Sequence, residues 1–317
     1  MVAAMHELGL QDLIKRIGAE HVRRRLNDET EHEAQLFGQG TLFFNLENSL
    51  LAPGVIATAL KVTGLYGRAR QNADLVCIRR NELASTVLPK SFDGFTLLHI
   101  SDLHADMSAG AMRRLPGMVA DLAYDICVLT GDYRGQTFGP FDKSLDYLAP
   151  VIAALKPPVY GILGNHDSIR MTPALEAMGI RMLFNECEAI RRGDEAIYLA
   201  GVDDAHFYRA DDIGKAAAPI PDDAFSILLS HTPEVYRAAA AASFDLMLSG
   251  HTHGGQLCLP GGIAIKLEAW LPRKFGAGAW RYGKMAGYTS VGAGTSLLPV
   301  RLNCPAEITL HTLRRAG

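Results

Sequence analysis

Cysteine is scarce in this 317-residue chain, and the five present, Cys77, Cys127, Cys187, Cys258 and Cys304, stand far apart with no CxxC pair. An odd, scattered set argues against a disulfide framework or a cysteine zinc cage, and for reduced thiols in a cytosolic setting. An excess of one charge is missing too: 31 Lys+Arg against 34 Asp+Glu leave a formal net charge of −3. A nucleic-acid binder resting on bulk electrostatics is thereby disfavoured, and no basic stripe stands out. No apolar run approaches the roughly 20 residues of a spanning helix. The longest uncharged stretch, Asn48 to Leu60, is broken by Pro53 and stopped by Lys61, which suits a buried segment better than one lying on a membrane. Glu7 and Asp12 interrupt any secretory core, so the mature chain is expected to begin near Met1. What remains, 48% hydrophobic and 21% charged residues with no repeat or low-complexity tract, describes a globular protein able to bury a sizeable core.

Residues 1–88 differ in pattern from the rest of the chain. Leu10, Leu13, Ile14 and Ile17 recur at helical spacing, with Lys15, Arg16 and Arg23 to Arg25 on or near the other side, ahead of acidic Asp28, Glu29, Glu31 and Glu33. The pattern predicts a helical accessory region, packed on the main domain or, as the alternative, resting on a membrane or partner. From about Phe95, short apolar runs alternate with loops rich in Gly, Asp, His and Asn. Strands are expected over 95–100, 126–130, 159–163, 197–202, 225–229, 246–248 and 308–310, and helices over 110–123, 141–155 and 233–243. Several runs are continuous, as strands covered on both faces would be. The alternation predicts an α/β layered domain over 89–317.

The rare metal-ligand side chains fall where those strands end. His99 and Ile100 run into Ser101-Asp102-Leu103-His104, and Leu129-Thr130 into Gly131-Asp132. Leu163 runs into Gly164-Asn165-His166-Asp167, Ser230 into His231, and Ser249 into Gly250-His251-Thr252-His253. Ligands of open α/β sheets bind beyond the carboxyl ends of strands, so clusters spread over the chain can meet in one site. Asp102 and His104, like His251 and His253, lie two apart and would share one side of an extended segment. Carboxylate, imidazole and an Asn amide without thiolate suit Mn²⁺, Fe or Zn²⁺. There are too many donors for one tetrahedral ion, and two ions roughly 3.5–4 Å apart would use them for in-line attack on phosphorus. Taken singly, His99, His206 and His311 read as hydrogen-bonded structural residues.

These motifs in this order resemble the calcineurin-like metallophosphoesterases, over about residues 95–312. Gly254-Gly255-Gln256, Gly292-x-Gly294-Thr295-Ser296 and Pro299-x-Arg301 are similar to a bacterial membrane-linked branch of that family. The resemblance implies a two-layer β sandwich flanked by helices. It also implies that Asp102, His104, Asp132 and His253 hold one divalent metal and Asp132, Asn165, His231 and His251 a second, with Mn²⁺ the first expectation and Fe or Zn²⁺ the others. Asp132 would bridge, an activated water would attack phosphorus, His166 would face the leaving-group oxygen and Asp167 would orient the His166 ring. Many relatives carry an acidic residue shortly after Gly-Asp, whereas Asp132 here precedes Tyr133, Arg134 and Gly135; Arg134 is a candidate phosphate ligand or else a structural arginine.

Both tryptophans lie between Lys266 and Tyr282, where Leu267, Leu271 and Phe275 interleave with Lys266, Arg273, Lys274 and Arg281. Such a mixture suits a headgroup-level membrane contact or lipid-phosphate pocket, and equally a glycine-rich loop folding its aromatics inward. With the branch resemblance, the expected substrate is lipid-linked, first the lipid A precursor UDP-2,3-diacylglucosamine, whose pyrophosphate would be cut to release UMP. The enzyme would be cytoplasmic, with a peripheral contact to the inner face of the membrane kept open. Hydrolysis of another phospholipid, nucleotide or cell-wall phosphate is the second reading, and a non-catalytic metal-bound scaffold the third.

Overall fold

In a computed structural model that describes residues 2–38 and 52–317, two six-stranded sheets lie face to face. The first has the order β1 (Val76–Ser85), β14 (Ala306–Arg315), β2 (Thr96–Ile100), β3 (Ile126–Leu129), β4 (Val159–Gly161) and β5 (Ile180–Met182). The second has the order β12 (Gly278–Tyr282), β13 (Met285–Thr289), β9 (Leu246–Ser249), β8 (Ser226–Leu229), β7 (Glu195–Gly201) and β6 (Glu186–Arg192). A short hairpin of β10 (Cys258–Leu259) and β11 (Ile263–Ala264) stands apart.

The continuous apolar runs become strands because each face has its own core. Leu97, Ile126, Val128 and Ile162 point between the sheets and meet Leu199, Ile227, Leu229, Leu246 and Leu248. Their neighbours Leu98, Ile100, Cys127 and Leu129 point outward onto α5 (Ala109–Ala120), α6 (Asp142–Ala153) and α7 (Thr172–Ala177), through Leu115, Leu148 and Leu175. Leu228 and Met247 alternate in the same way, meeting Tyr236 and Ala239 of α8 (Tyr236–Ala241). Each fully buried leucine contributes on the order of 1.5–3 kcal/mol, so Leu98→Ala would cost about 2–5 kcal/mol once the cavity is included. The expected sandwich flanked by helices is the fold observed.

Strands β2 to β5 run parallel, as do β7, β8, β9 and β13. Parallel strands deliver their carboxyl ends to one edge, so the loops after β2, β3, β4, β8 and β9 gather at one end of the sandwich. That end holds the candidate ligands.

Within the expected helical accessory region lie α1 (Val2–Ile17), α2 (Ala19–Gly38), α3 (Ala52–Val62) and α4 (Tyr66–Ala73). Leu13 and Ile17 are buried in the core of the first sheet, with Leu10 and Ile14 packed against it, so the apolar stripe of α1 faces protein. Residues 76–85 depart from the helical expectation. They form β1, which pairs in parallel with β14 along its whole length. Its side chains are mostly half-exposed or exposed, as befits an edge strand, and that removes the hydrophobic alternation by which strands are recognised. Of the uncharged stretch, residues 48–51 lie outside the described residues. No helix among the described residues is long and apolar enough to cross a membrane.

Candidate metal centre

The strand-end clusters converge. Asp102, His104 and His253 bring ligand atoms within 4.8 Å of one another, and so do Asp102, Asp132 and His231. Asp132 Oδ2 lies 3.5 Å from His104 Nε2 and 3.3 Å from His231 Nε2, between the two groups. His104 Nε2 and His253 Nε2 face each other at 3.0 Å. Asn165 Oδ1 lies 2.9 Å from both His231 Nε2 and His251 Nδ1. All seven side chains are buried.

The expectation that each pair projects from an extended segment is corrected. Asp102, His104, Asp132, His251 and His253 all have positive φ, between 38° and 70°. The chain turns left-handed at these residues, and that turn, rather than strand alternation, aims them inward. For non-glycine residues such backbone costs about 1–3 kcal/mol each and persists only where the surroundings over-determine it. Close approach supplies the determination. A Cβ on Gly164 would sit 2.2 Å from Asp132 Oδ1, and one on Gly250 would sit 2.3 Å from Asp102 Oδ2. The glycines of GNHD and GHTH are therefore required by the carboxylates beside them.

The outward ring nitrogens identify what the centre wants. His104 Nδ1 lies 2.8 Å from Arg134 O, His231 Nδ1 2.7 Å from Thr130 O, and His251 Nε2 2.7 Å from Glu268 O. A carbonyl only accepts, so each of these nitrogens carries a proton, and whenever the ring is neutral the lone pair of its other nitrogen turns inward. Those lone pairs then face carboxylate and amide oxygens, an arrangement of acceptors that calls for cations. The electrostatics agree. Burial opposes charge on His231, yet the Asp132 and Asp102 carboxylates push it up to about 10, a proton taking the role of a cation. Burial likewise opposes charge on Asp132, but the imidazoles of His231 and His166 hold it well below the usual carboxylate range. The donor set fits divalent ions bound by imidazole and carboxylate.

The remaining expected site residues divide. His166 turns Nε2 toward Asp132 Oδ2 at 3.9 Å, with Nδ1 3.1 Å from Thr137 Oγ1; burial pulls its ring down to about 4. Asp167 does not orient that ring. Its carboxylate accepts from the backbone N–H groups of Asp132 (2.7 Å), Tyr133 (2.9 Å) and Gly164 (2.9 Å), stapling the two loops together, and Thr137 meets the ring instead. Arg134 does not reach for phosphate. It is 3% exposed and donates to the carbonyls of His166 (2.5 Å), Gly139 (2.9 Å) and Thr137, because a buried guanidinium must satisfy its donors locally.

Several neighbours stand at the centre in places the sequence reading did not give them. His206 stands with its ring 4.3 Å from that of His251, and its Nδ1 lies 2.6 Å from Glu234 Oε2. Arg301 is fully buried and donates to Val291 O and Gly294 O at 2.6 Å, while Gly294 N donates to Asp102 O at 2.8 Å. The Gly292 to Arg301 tail thus braces Asp102 from behind. Arg25 and Glu29 of α2 reach the loop after His166, through Asp167 O and Ile169 N. The Asp203-Asp204 pair after β7 was the one available signal, a further acidic strand end.

The aromatic-cationic segment folds part of its aromatic content inward. Phe275 and Trp280 are buried against Tyr236, and Trp280 Nε1 donates to Thr289 Oγ1 at 2.9 Å, whereas Trp270 is 93% exposed.

Residues 95–255 match the family model described as calcineurin-like phosphoesterase. The chain is 30% identical to "Phosphodiesterase YaeI" of Escherichia coli over 69% of its own length and 82% of that protein. It is 28% identical to the metallophosphoesterase YkuE of Bacillus subtilis, over 81% of this chain and 93% of that one. It is 30% identical to a "Transmembrane protein with metallophosphoesterase domain" of Danio rerio, over 83% of this chain but 62% of the relative's length.

Proposed function

The chain belongs to the calcineurin-like phosphoesterase family and is a hydrolase, and from that premise we propose a dinuclear centre that cleaves a phosphodiester or pyrophosphate carrying an apolar group. Asp102, His104, Asp132 and His253 hold one divalent ion in this reading, and Asp132, Asn165, His231 and His251 the other. When bound, the ions supply Lewis acidity toward the phosphoryl oxygens and an activated water. The protein's own residues do the rest. Backbone carbonyls fix the imidazole tautomers, Asp132 lies between the two donor groups, and Asp167 keeps the Asp132 and Gly164 loops in register. His166 turns Nε2 to the leaving-group oxygen and gives it a proton or hydrogen bond, its ring held through Nδ1 by Thr137.

The observation that carries the substrate class is a cavity of about 330 Å³ beside the centre. Thr252 and His253 form one wall, and Ile56, Leu257, Ile265, Leu298 and Val300 make the rest largely apolar. Its size sits at the low end for ligand pockets, about 300–1,000 Å³, enough for part of a hydrocarbon chain. Around it Ile263 and Ile265 are 57% and 63% exposed and Trp270 stands out, with Lys266 and Arg273 among them, a composition suited to a lipid headgroup layer. UDP-2,3-diacylglucosamine, cut to UMP and the acylated sugar phosphate, is the specific substrate we put forward. Mn²⁺ is the metal to try first.

The test is Mn²⁺-dependent UMP release from UDP-2,3-diacylglucosamine in detergent micelles, beside a chromogenic phosphodiester and an Asp132→Asn control. Release that disappears in the control supports the reading. Chromogenic turnover without UMP release would retain the two-ion centre and replace the substrate by another phosphodiester, a reading that the phosphodiesterase relative favours.

A further inference from the structure

We propose that Arg25 and Glu29 of α2 are positioning residues for the Asn165-His166 loop, acting through the three residues directly after it; the proposal rests on the reading of His166 as the group facing the leaving oxygen. His21, Arg25 and Glu29 recur every fourth residue and form one stripe of the helix. Arg25 is fully buried. Its Nη2 donates to Asp167 O at 2.9 Å, its Nη1 to Glu29 Oε1 at 2.8 Å and its Nε to Asp203 Oδ1 at 3.4 Å. The guanidinium carbon lies 3.4 Å from the centroid of the Tyr208 ring, and His21 Nε2 lies 2.8 Å from Asp203 Oδ2. Glu29 then accepts from Ile169 N at 2.8 Å and from Ser168 Oγ at 2.6 Å.

Residues 167, 168 and 169 are therefore each bonded to one helix of the N-terminal region. Helix docking alone does not require this. Apolar packing is non-directional and tolerates small shifts, and α1 already docks through Leu13 and Ile17. Directional bonds to three consecutive residues instead fix where the turn stands. From the other side Arg134 donates to His166 O, and Thr137 meets the His166 ring. His166 is held between the two, and displacement by about 1 Å at such a group can cost about 10²-fold in rate.

The experiment uses the full chain loaded with Mn²⁺, comparing methyl 4-nitrophenyl phosphate with methyl phenyl phosphate, whose poorer leaving group depends more on proton donation. His166→Ala should lower kcat for the phenyl ester more than for the nitrophenyl ester. Glu29→Gln, nearly isosteric, and Arg25→Lys should shift the same ratio in the same direction, about tenfold in phenyl kcat, with KM unchanged within about twofold. Hydrogen exchange on the metal-free protein gives a readout without turnover: the Ile169 amide should exchange faster in Glu29→Gln while β2 and β3 keep their protection. Equal losses on both esters with unchanged exchange at residues 165–170 would overturn the positioning role and leave packing only. A ratio unmoved even by His166→Ala would remove the reading of His166, and the exchange result would then decide the grip of α2 alone.

Discussion

On the His166 side of the centre, α2 presents a buried arginine, a glutamate and a histidine to the ligand loop and to Asp203, bonded at 2.6–3.4 Å. On the His253 side, Ile56 of α3 and Ile265 just beyond the β10–β11 hairpin border an apolar cavity, and apolar side chains stand out in solvent beyond it. The difference is one of directionality. Hydrogen bonds and ion pairs in a buried setting hold a group to a fraction of an ångström, and losing one partner leaves the other uncompensated. An apolar wall rewards buried area without prescribing orientation, so as the proposed chain site it would receive chains of different length. The N-terminal helices thus contribute to both flanks in opposite ways.

The comparison can be broken at its centre first. Asp132→Asn should weaken both metal positions and reduce turnover by on the order of 10³-fold or more, and dialysis against EDTA should do the same until Mn²⁺ is returned; metal content and phosphodiester hydrolysis are the readouts. His166→Ala should keep the bound metal and lose about 10²–10⁴-fold in kcat, and normal kcat would remove its role. On the polar flank, Arg25→Ala leaves Asp203 and Glu29 without their guanidinium, which predicts about 3–5 kcal/mol of lost stability by thermal or urea unfolding. Removing residues 2–38 should then abolish hydrolysis of soluble esters along with lipid binding. A truncated chain that still turns over the soluble ester would show that α2 does not support the loop.

On the apolar flank the effects are smaller and selective. Leu298→Asp should raise KM for an acyl-bearing substrate by about 10- to 100-fold, the equivalent of one buried apolar side chain, with little change for a small chromogenic diester. Trp270→Ala should weaken binding to anionic vesicles by a few-fold in a sedimentation assay. If both variants treat long and short substrates alike, the cavity is not a chain site.

The strands that sequence reading located carry continuous apolar runs, such as Leu97 to Ile100 and Ile227 to Leu229, because two cores demand them, whereas β13, buried throughout, reads Met-Ala-Gly-Tyr-Thr and shows no such run. Others among the missed strands carry weaker signals. β1 is a half-exposed edge, β5 spans only three residues, and β12 interleaves glycine and exposed arginine with its buried Trp280. Among the candidate site residues, the convergence of Asp102, His104, Asp132, Asn165, His166, His231, His251 and His253 was legible because rare polar types came after strand upon strand. Asp167 and Arg134 were equally visible, but their partners were not. Each is spent on backbone groups of loops whose proximity no spacing along the chain encodes.

Sequence alone determined the inventory and its order: which side chains sit at strand ends, which glycines flank them, and the absence of thiolate or surplus charge that narrows the chemistry. Those are local properties, written in residue type and neighbour. Only the tertiary structure decided which way each group faces. The left-handed turns at five of the candidate ligands, the carbonyls that set the imidazole tautomers, and the reach of Arg25 across 142 residues to Asp167 are all products of loops meeting in space. Hydrogen-bond direction depends on the position of a distant partner to within tenths of an ångström, and that position exists only once both sheets and the helices around them are packed.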